Sequence, residues 1–162
     1  MTRFKPVVLL CSAMPIAGLV SAAHAEVLAH YECSVIGPSS PEPIGDRPGH
    51  ALNTVQFSCF AVEGVMKDAI YTAVNVSEWD GLKVAYQFAG GVHRIAGGFA
   101  VTQMSEGSAV VLVKDGQPAG TAGSGKAVIK YAVGTLAQLN GKTVSFTTKS
   151  TSLGRFNLDF TD

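Results

Sequence analysis

Thr54-Val55-Gln56-Phe57-Ser58-Cys59-Phe60-Ala61 is the stretch on which the fold turns. Val55, Phe57, Cys59 and Ala61 recur at every second position, with Thr54, Gln56 and Ser58 between them. A repeat of two places alternate side chains on opposite faces of a pleated strand, so one face is apolar and the other wet. The same rhythm continues outward. Tyr31, Cys33 and Val35 oppose Glu32 and Ser34, and comparable sets are Val84, Tyr86 and Phe88; Ile129, Tyr131 and Val133; Val144 and Phe146; and Phe156, Leu158 and Phe160. So many two-faced strands need a sandwich or a closed barrel to cover their apolar sides. A continuous meander closes most simply as a barrel. The expected fold is all-β, a single antiparallel up-and-down β-barrel of about eight strands.

Strands are expected over 27–36, 52–62, 68–79, 82–89, 92–103, 108–114, 126–133, 142–149 and 154–161. The turns expected between them are Glu63-Gly64, Asp80-Gly81, Gly90-Gly91, Glu106-Gly107, Asp115-Gly116 and Asn140-Gly141, residue types that tolerate the positive φ of hairpins. Ala119-Gly120-Thr121-Ala122-Gly123-Ser124-Gly125 also reads as hairpin material, since no Lys-Ser/Thr and helix follow to make a phosphate cradle. Thr135 to Leu139 alone suits a helical turn.

The first 25 residues have the pattern of a secretory signal. Arg3 and Lys5 precede an uncharged apolar run from Val7 to Val20, and Ala23-His24-Ala25 supplies the small-residue end. Pro15 and Gly18 break the run and suit it poorly to spanning a bilayer. Lipidation at Cys11 is rejected because Leu10 stands where a small residue is normal. Residues 26–162 then form one domain in the periplasm or outside the cell. Without Arg3 and Lys5 that domain has 10 basic and 12 acidic residues, a net charge of −2 with no block of like charge. Nucleic acid and anionic membrane surfaces both require a concentrated basic patch, so neither is an expected partner.

Cys33 and Cys59 remain in that domain, and an even pair in an oxidising compartment reads as a disulfide. Both are in phase with the apolar side of their strands, which places the bridge against the core. It closes a loop holding Pro38, Pro41, Pro43 and Pro48, a segment expected to be neither strand nor helix.

The run Gly123-Ser124-Gly125-Lys126-Ala127-Val128-Ile129-Lys130-Tyr131-Ala132-Val133-Gly134-Thr135-Leu136-Ala137-Gln138-Leu139-Asn140-Gly141-Lys142 resembles a pattern in allene oxide cyclase and dirigent-type barrels. In those proteins a Gly-rich turn leads a strand with a tyrosine, then Gly-Thr, then a short turn before the next strand. The resemblance implies the barrel and no active-site assignment. Segments around Tyr31-Glu32-Cys33, Gly45-Asp46-Arg47-Pro48-Gly49-His50 and Ser77-Glu78-Trp79-Asp80-Gly81 are similar to small uncharacterised exported bacterial proteins.

Chemistry-bearing residues are few. Alternation through Val74, Val76 and Glu78 points the Glu78 carboxylate to the apolar side, where burial would raise its pKa and suit it to acid–base work; a strand end before Trp79 would leave it in water at the rim. Tyr86 is the second catalytic candidate, and Tyr71 offers a further hydroxyl. Phe57, Tyr86, Phe88 and Tyr131 are the expected lining of a ligand site, with Arg94 to receive a polar group. Arg47 in the long loop is an alternative anion site. His30, His50 and His93 fall at no metal-ligand spacing, so neither a metal nor a cofactor is expected.

Three functions compete. One is a binding module holding a small apolar ligand inside the barrel. Another is a cyclase or isomerase that folds a flexible substrate, with Glu78 or a tyrosine moving a proton. The third is an exported interaction or inhibitor protein acting through the 34–58 loop, with Asp46, Arg47 and His50 as its recognition groups.

Overall fold

A computed structural model describes residues 25–162; the signal reading of residues 1–25 falls almost entirely outside them. Nine strands follow one another: β1 (Val27–Ile36), β2 (Glu42–Pro43), β3 (His50–Glu63), β4 (Ile70–Asp80), β5 (Lys83–Ile95), β6 (Gly98–Lys114), β7 (Gln117–Gly134), β8 (Thr143–Ser152) and β9 (Arg155–Thr161). Each long strand pairs antiparallel with the next, β9 returns to β1, and β1 pairs with β3. The eight long strands therefore close into an up-and-down barrel. Every long strand thus has a neighbouring strand on both sides.

The seam of the barrel is stapled. Cys33 and Cys59 are direct partners across β1 and β3, and they form a disulfide on the inner face. Both are buried among Tyr31, Phe57 and Ala61, as the alternation required. The bridge thus joins two strands whose pairing is not enforced by a short hairpin, β1 and β3 being separated by the long 37–49 connection. The loop it encloses is not wholly irregular, because Glu42 and Pro43 pair with Leu52 and Ala51 as β2. Pro43 is tolerated there because β2 is an edge strand.

Three glycine-containing stretches expected as turns lie inside strands instead. Gly90-Gly91 is in β5, Glu106-Gly107 is in β6, and Gly120 to Gly125 belong to β7. The reason is crowding: a Cβ on Gly91 would stand 2.3 Å from the Thr72 carbonyl oxygen, and one on Gly125 would stand 2.1 Å from that of Glu106. On Gly107 it would meet the Tyr86 and Phe146 rings at 2.9 Å. These positions give up a side chain so that backbone and aromatic rings can approach. The expected turns at Gly64, Gly81, Gly116 and Gly141 do carry positive φ. A short 3-10 turn, Ala137–Leu139, occupies the expected helical stretch.

One end of the barrel is plugged. Leu28, Met66, Leu136 and Leu139, each no more than 2 % exposed, pack across it. Above this plug lies an aromatic layer in which Tyr31, Tyr71, Phe160 and Phe57 meet at ring-centroid distances of 5.7 to 6.2 Å. The β4–β5, β6–β7 and β8–β9 turns surround the opposite end, where the side chain of Leu153 is fully exposed.

Candidate functional site

The half of the interior away from the plug is a cavity of about 530 Å³. Its walls are mostly apolar, with Val55, Phe57, Met104, Phe146, Phe156 and Leu158 among them. Pairing explains which residues reach it. Directly opposed residues of neighbouring strands share a face, so Phe57↔Ala73, Val55↔Asn75, Asn53↔Ser77 and Ala51↔Trp79 turn inward together. Trp79, the single tryptophan of the sequence, lines the cavity and donates its Nε1–H to Ser77 Oγ at 3.0 Å.

Glu78 is consequently outside. It pairs with Leu52 and Ala85 on the outer face, and its carboxylate accepts from Gln87 Nε2 at 2.8 Å and meets His50 Nε2 at 2.7 Å. The apolar look of Val74 and Val76 misled the alternation, because both also face outward while Asn75 and Ser77 face in.

Two further expected ligand residues are displaced by bulges. β5 carries an extra residue, Gln87, between Tyr86 (opposite Ser77) and Phe88 (opposite Val76). Tyr86 therefore points inward and Phe88 points outward, 45 % exposed. Likewise Lys130 is inserted between Ile129 (opposite Thr102) and Tyr131 (opposite Val101), which puts Ile129 in the core and leaves Tyr131 67 % exposed on the outer wall. A bulge shifts the phase of everything beyond it by one residue. Arg94 is also on the outer wall, between Ile70 and Phe99 in the ladder, with Nη1 3.5 Å from Thr72 Oγ1. Phe57 and Tyr86 do line the cavity. The Tyr86 hydroxyl lies 3.2 Å from Thr148 Oγ1, and burial pushes its pKa up.

A polar cluster that the sequence reading did not assemble forms the floor. Tyr71 and Thr102 line the cavity, and His93 and Tyr31 lie behind them. The Tyr31 hydroxyl is 2.7 Å from His93 Nδ1, His93 Nε2 is 3.0 Å from Thr102 Oγ1, and Thr102 Oγ1 is 3.1 Å from the Tyr71 hydroxyl. His93 is fully buried, and loss of solvent drives its pKa down to about 3, so its imidazole is neutral. Burial likewise pushes Tyr71 up to about 12 and raises Tyr31, with the neighbouring Tyr71 adding to the latter shift. The sequence offered two of its members separately, Tyr71 as a further hydroxyl and His93 as an isolated histidine on an apolar strand, with no sign that they meet.

The other two histidines among the described residues serve elsewhere. His30 pairs with the Asp159 carboxylate on the outer wall. His50 is held between Asp46 Oδ1 at 2.5 Å and Glu78 Oε1 at 2.7 Å, while Arg47 bonds Asp46 and Asp80. The hydrogen bond to Glu78, then that to Asp46, raises the His50 pKa. The charged groups expected to recognise a partner are thus engaged with one another, tying the loop to the rim. Ser39 Oγ reaches Asn53 Oδ1 at 3.2 Å, so the loop also touches the cavity lining. Among the described residues no group of three or more His, Cys, Asp or Glu side chains is arranged to hold a metal. No described helix is long and apolar enough to cross a membrane. Arg155, at the mouth, is the one charged residue among the described residues lining the cavity, and nothing in the sequence singled it out.

No family model, curated protein or solved structure matches this chain.

Proposed function

We propose that this is an exported binding protein that holds a small apolar ligand inside its barrel. The observation that carries the reading is the cavity itself: about 530 Å³, plugged at one end and walled chiefly by apolar side chains. That volume lies within the range of sites that enclose small molecules, and such sites combine an apolar wall with a few polar anchors. A disulfide on the inner face supports an oxidising compartment, because such bonds persist where thiols are not kept reduced.

The binding reading is preferred to the cyclase reading because no carboxylate lines the cavity among the described residues. Glu78, its candidate acid or base, is bonded to His50 and Gln87 outside the wall. The interaction reading has no comparable support, since its loop groups already satisfy one another.

Trp79 provides the test. Titration of the purified chain with N-phenyl-1-naphthylamine, a neutral apolar fluorophore, is expected to quench Trp79 by energy transfer with saturable one-to-one binding. Extraction of the natively produced protein followed by mass spectrometry is expected to recover a co-purifying apolar compound. No saturable quenching together with an empty extract would overturn the proposal.

A further inference from the structure

The Tyr31–His93–Thr102–Tyr71 chain holds four donor protons, one on each hydroxyl and one on the neutral imidazole, but only three bonds link its members. When every member donates to the next in the same direction, one proton is left over at one end. At the Tyr31 end its neighbour is the Met66 thioether, 3.9 Å away, a weak acceptor. At the other end it belongs to Tyr71, which lines the cavity. With His93 Nε2–H donating to Thr102 and Thr102 donating to Tyr71, the short Tyr31–His93 bond supplies its proton to Nδ1, and the Tyr71 proton is free for an oxygen in the cavity.

Charge limits what that oxygen can be. Arg155 is the only charged residue among the described cavity lining, and it stands on the exposed β8–β9 side of the mouth. The floor has no cation, since His93 is kept neutral by burial. A carboxylate reaching Tyr71 would lose its hydration without a counter-charge, and an ammonium group would meet a donor.

We propose that the ligand is an uncharged, largely apolar molecule bearing one acceptor oxygen of the ketone, aldehyde or ester type, bound with that oxygen on the Tyr71 hydroxyl at the cavity floor. This rests on the reading of the interior as a ligand site and adds the ligand's chemical class and orientation. Occupancy also fixes the direction of the whole hydrogen-bond chain, because an accepting oxygen draws every proton toward Tyr71.

The test is displacement of N-phenyl-1-naphthylamine by nonane, 2-nonanone and nonanoate, together with the infrared carbonyl stretch of bound 2-nonanone. The expected result is that 2-nonanone binds at least tenfold more tightly than nonanoate and that its carbonyl stretch lies below its position in hexane. Tyr71→Phe is expected to weaken 2-nonanone about tenfold, the loss of one buried hydrogen bond, and to leave nonane unchanged. Arg155→Gln is expected to leave the carbonyl stretch of bound 2-nonanone at its lowered position, because the oxygen sits at the opposite end of the cavity from the mouth.

Nonanoate binding most tightly and losing affinity in Arg155→Gln would overturn the inference by placing the polar end at the mouth. So would a carbonyl stretch unchanged from hexane, a measurement on the wild-type chain that does not depend on Tyr71→Phe folding. Either result leaves the ligand-site reading standing. Failure of all four compounds, the fluorophore included, to bind would remove both.

Discussion

The Tyr71 ring lies flat against the His93 imidazole, with centroids 4.0 Å apart and planes 8° from parallel. The contact seals His93 from water beneath the cavity floor. It also ties the protonation of one buried residue to the stability of the barrel.

That coupling has a definite sign. The folded pKa of His93 is depressed from 6.5 to about 3, so below pH 6.5 the unfolded chain takes up a proton that the folded chain does not. Stability therefore falls as pH drops from 6.5 toward 3, by about 1.4 kcal/mol per pH unit for this one group. His93→Gln keeps a donor and an acceptor but does not titrate. Urea unfolding between pH 4 and 8 is expected to show a shallower acid slope for His93→Gln, with a loss of about 1–3 kcal/mol at pH 7 from imperfect partners for Tyr31 and Thr102. Parallel slopes for the two proteins would show that His93 does not set the acid limb.

The loop latch responds differently. The His50 pKa is raised by Glu78 and Asp46, so its contribution is complete below 6.5 and is lost as pH rises through the elevated value. The pKa values of Asp46 and Asp80 are lowered, chiefly by hydrogen bonds from His50 and Arg47 respectively, so their contributions are present above 3.8 and fade as pH falls. Amide exchange in residues 44–49, corrected for intrinsic rates, is expected to be slowest between these limits and faster on both sides. Glu78→Gln is expected to move the His50 titration down toward 6.5 in an NMR pH series.

The seam disulfide closes a separation of 26 residues. On the chain-entropy estimate its removal costs about 3.5 kcal/mol. Cys33→Ala/Cys59→Ala is expected to unfold at a correspondingly lower urea concentration while retaining the β-sheet circular dichroism of the parent. An unchanged midpoint would mean that the hairpins and β1–β9 pairing hold the seam unaided.

Ala109 faces the cavity with little bulk of its own. Ala109→Phe is expected to fill part of the space and weaken N-phenyl-1-naphthylamine binding by at least tenfold without lowering thermal stability by more than a few degrees. Retained affinity in a folded variant would place the fluorophore elsewhere.

Two glycines separate crowding from conformation. Gly125→Ala drives a methyl into the Glu106 carbonyl oxygen and is expected to cost about 4 kcal/mol or more, or to abolish soluble folding. Gly116→Ala meets no atom within 4 Å but requires φ +75°, and is expected to cost about 1 kcal/mol. Equal losses in thermal unfolding would contradict the assignment of Gly125 to close backbone approach.

The barrel, its bridge and the inward faces of β1, β3, β8 and β9 were legible because alternation is a local property and Tyr31, Cys33, Phe57, Phe146, Leu158 and Phe160 obey it without interruption. Phe88 and Tyr131 were misplaced because Gln87 and Lys130 each shift the phase of a strand, and a single inserted residue has no signature of its own in composition. The inward alternative for Glu78 failed for a different reason: a cavity-lining face can be wet, so Asn75 and Ser77 turn inward while Val74 and Val76 do not.

By itself the sequence determined that the strands are two-faced and that Cys33 and Cys59 lie on apolar sides, since both follow from periodicity along one strand. Only the tertiary structure decided that Tyr31, Tyr71, His93 and Thr102 meet under a cavity and that the expected charged groups stay outside it. They come from four different strands, and strand register depends on bulges and cross-strand packing that no short stretch of chain encodes.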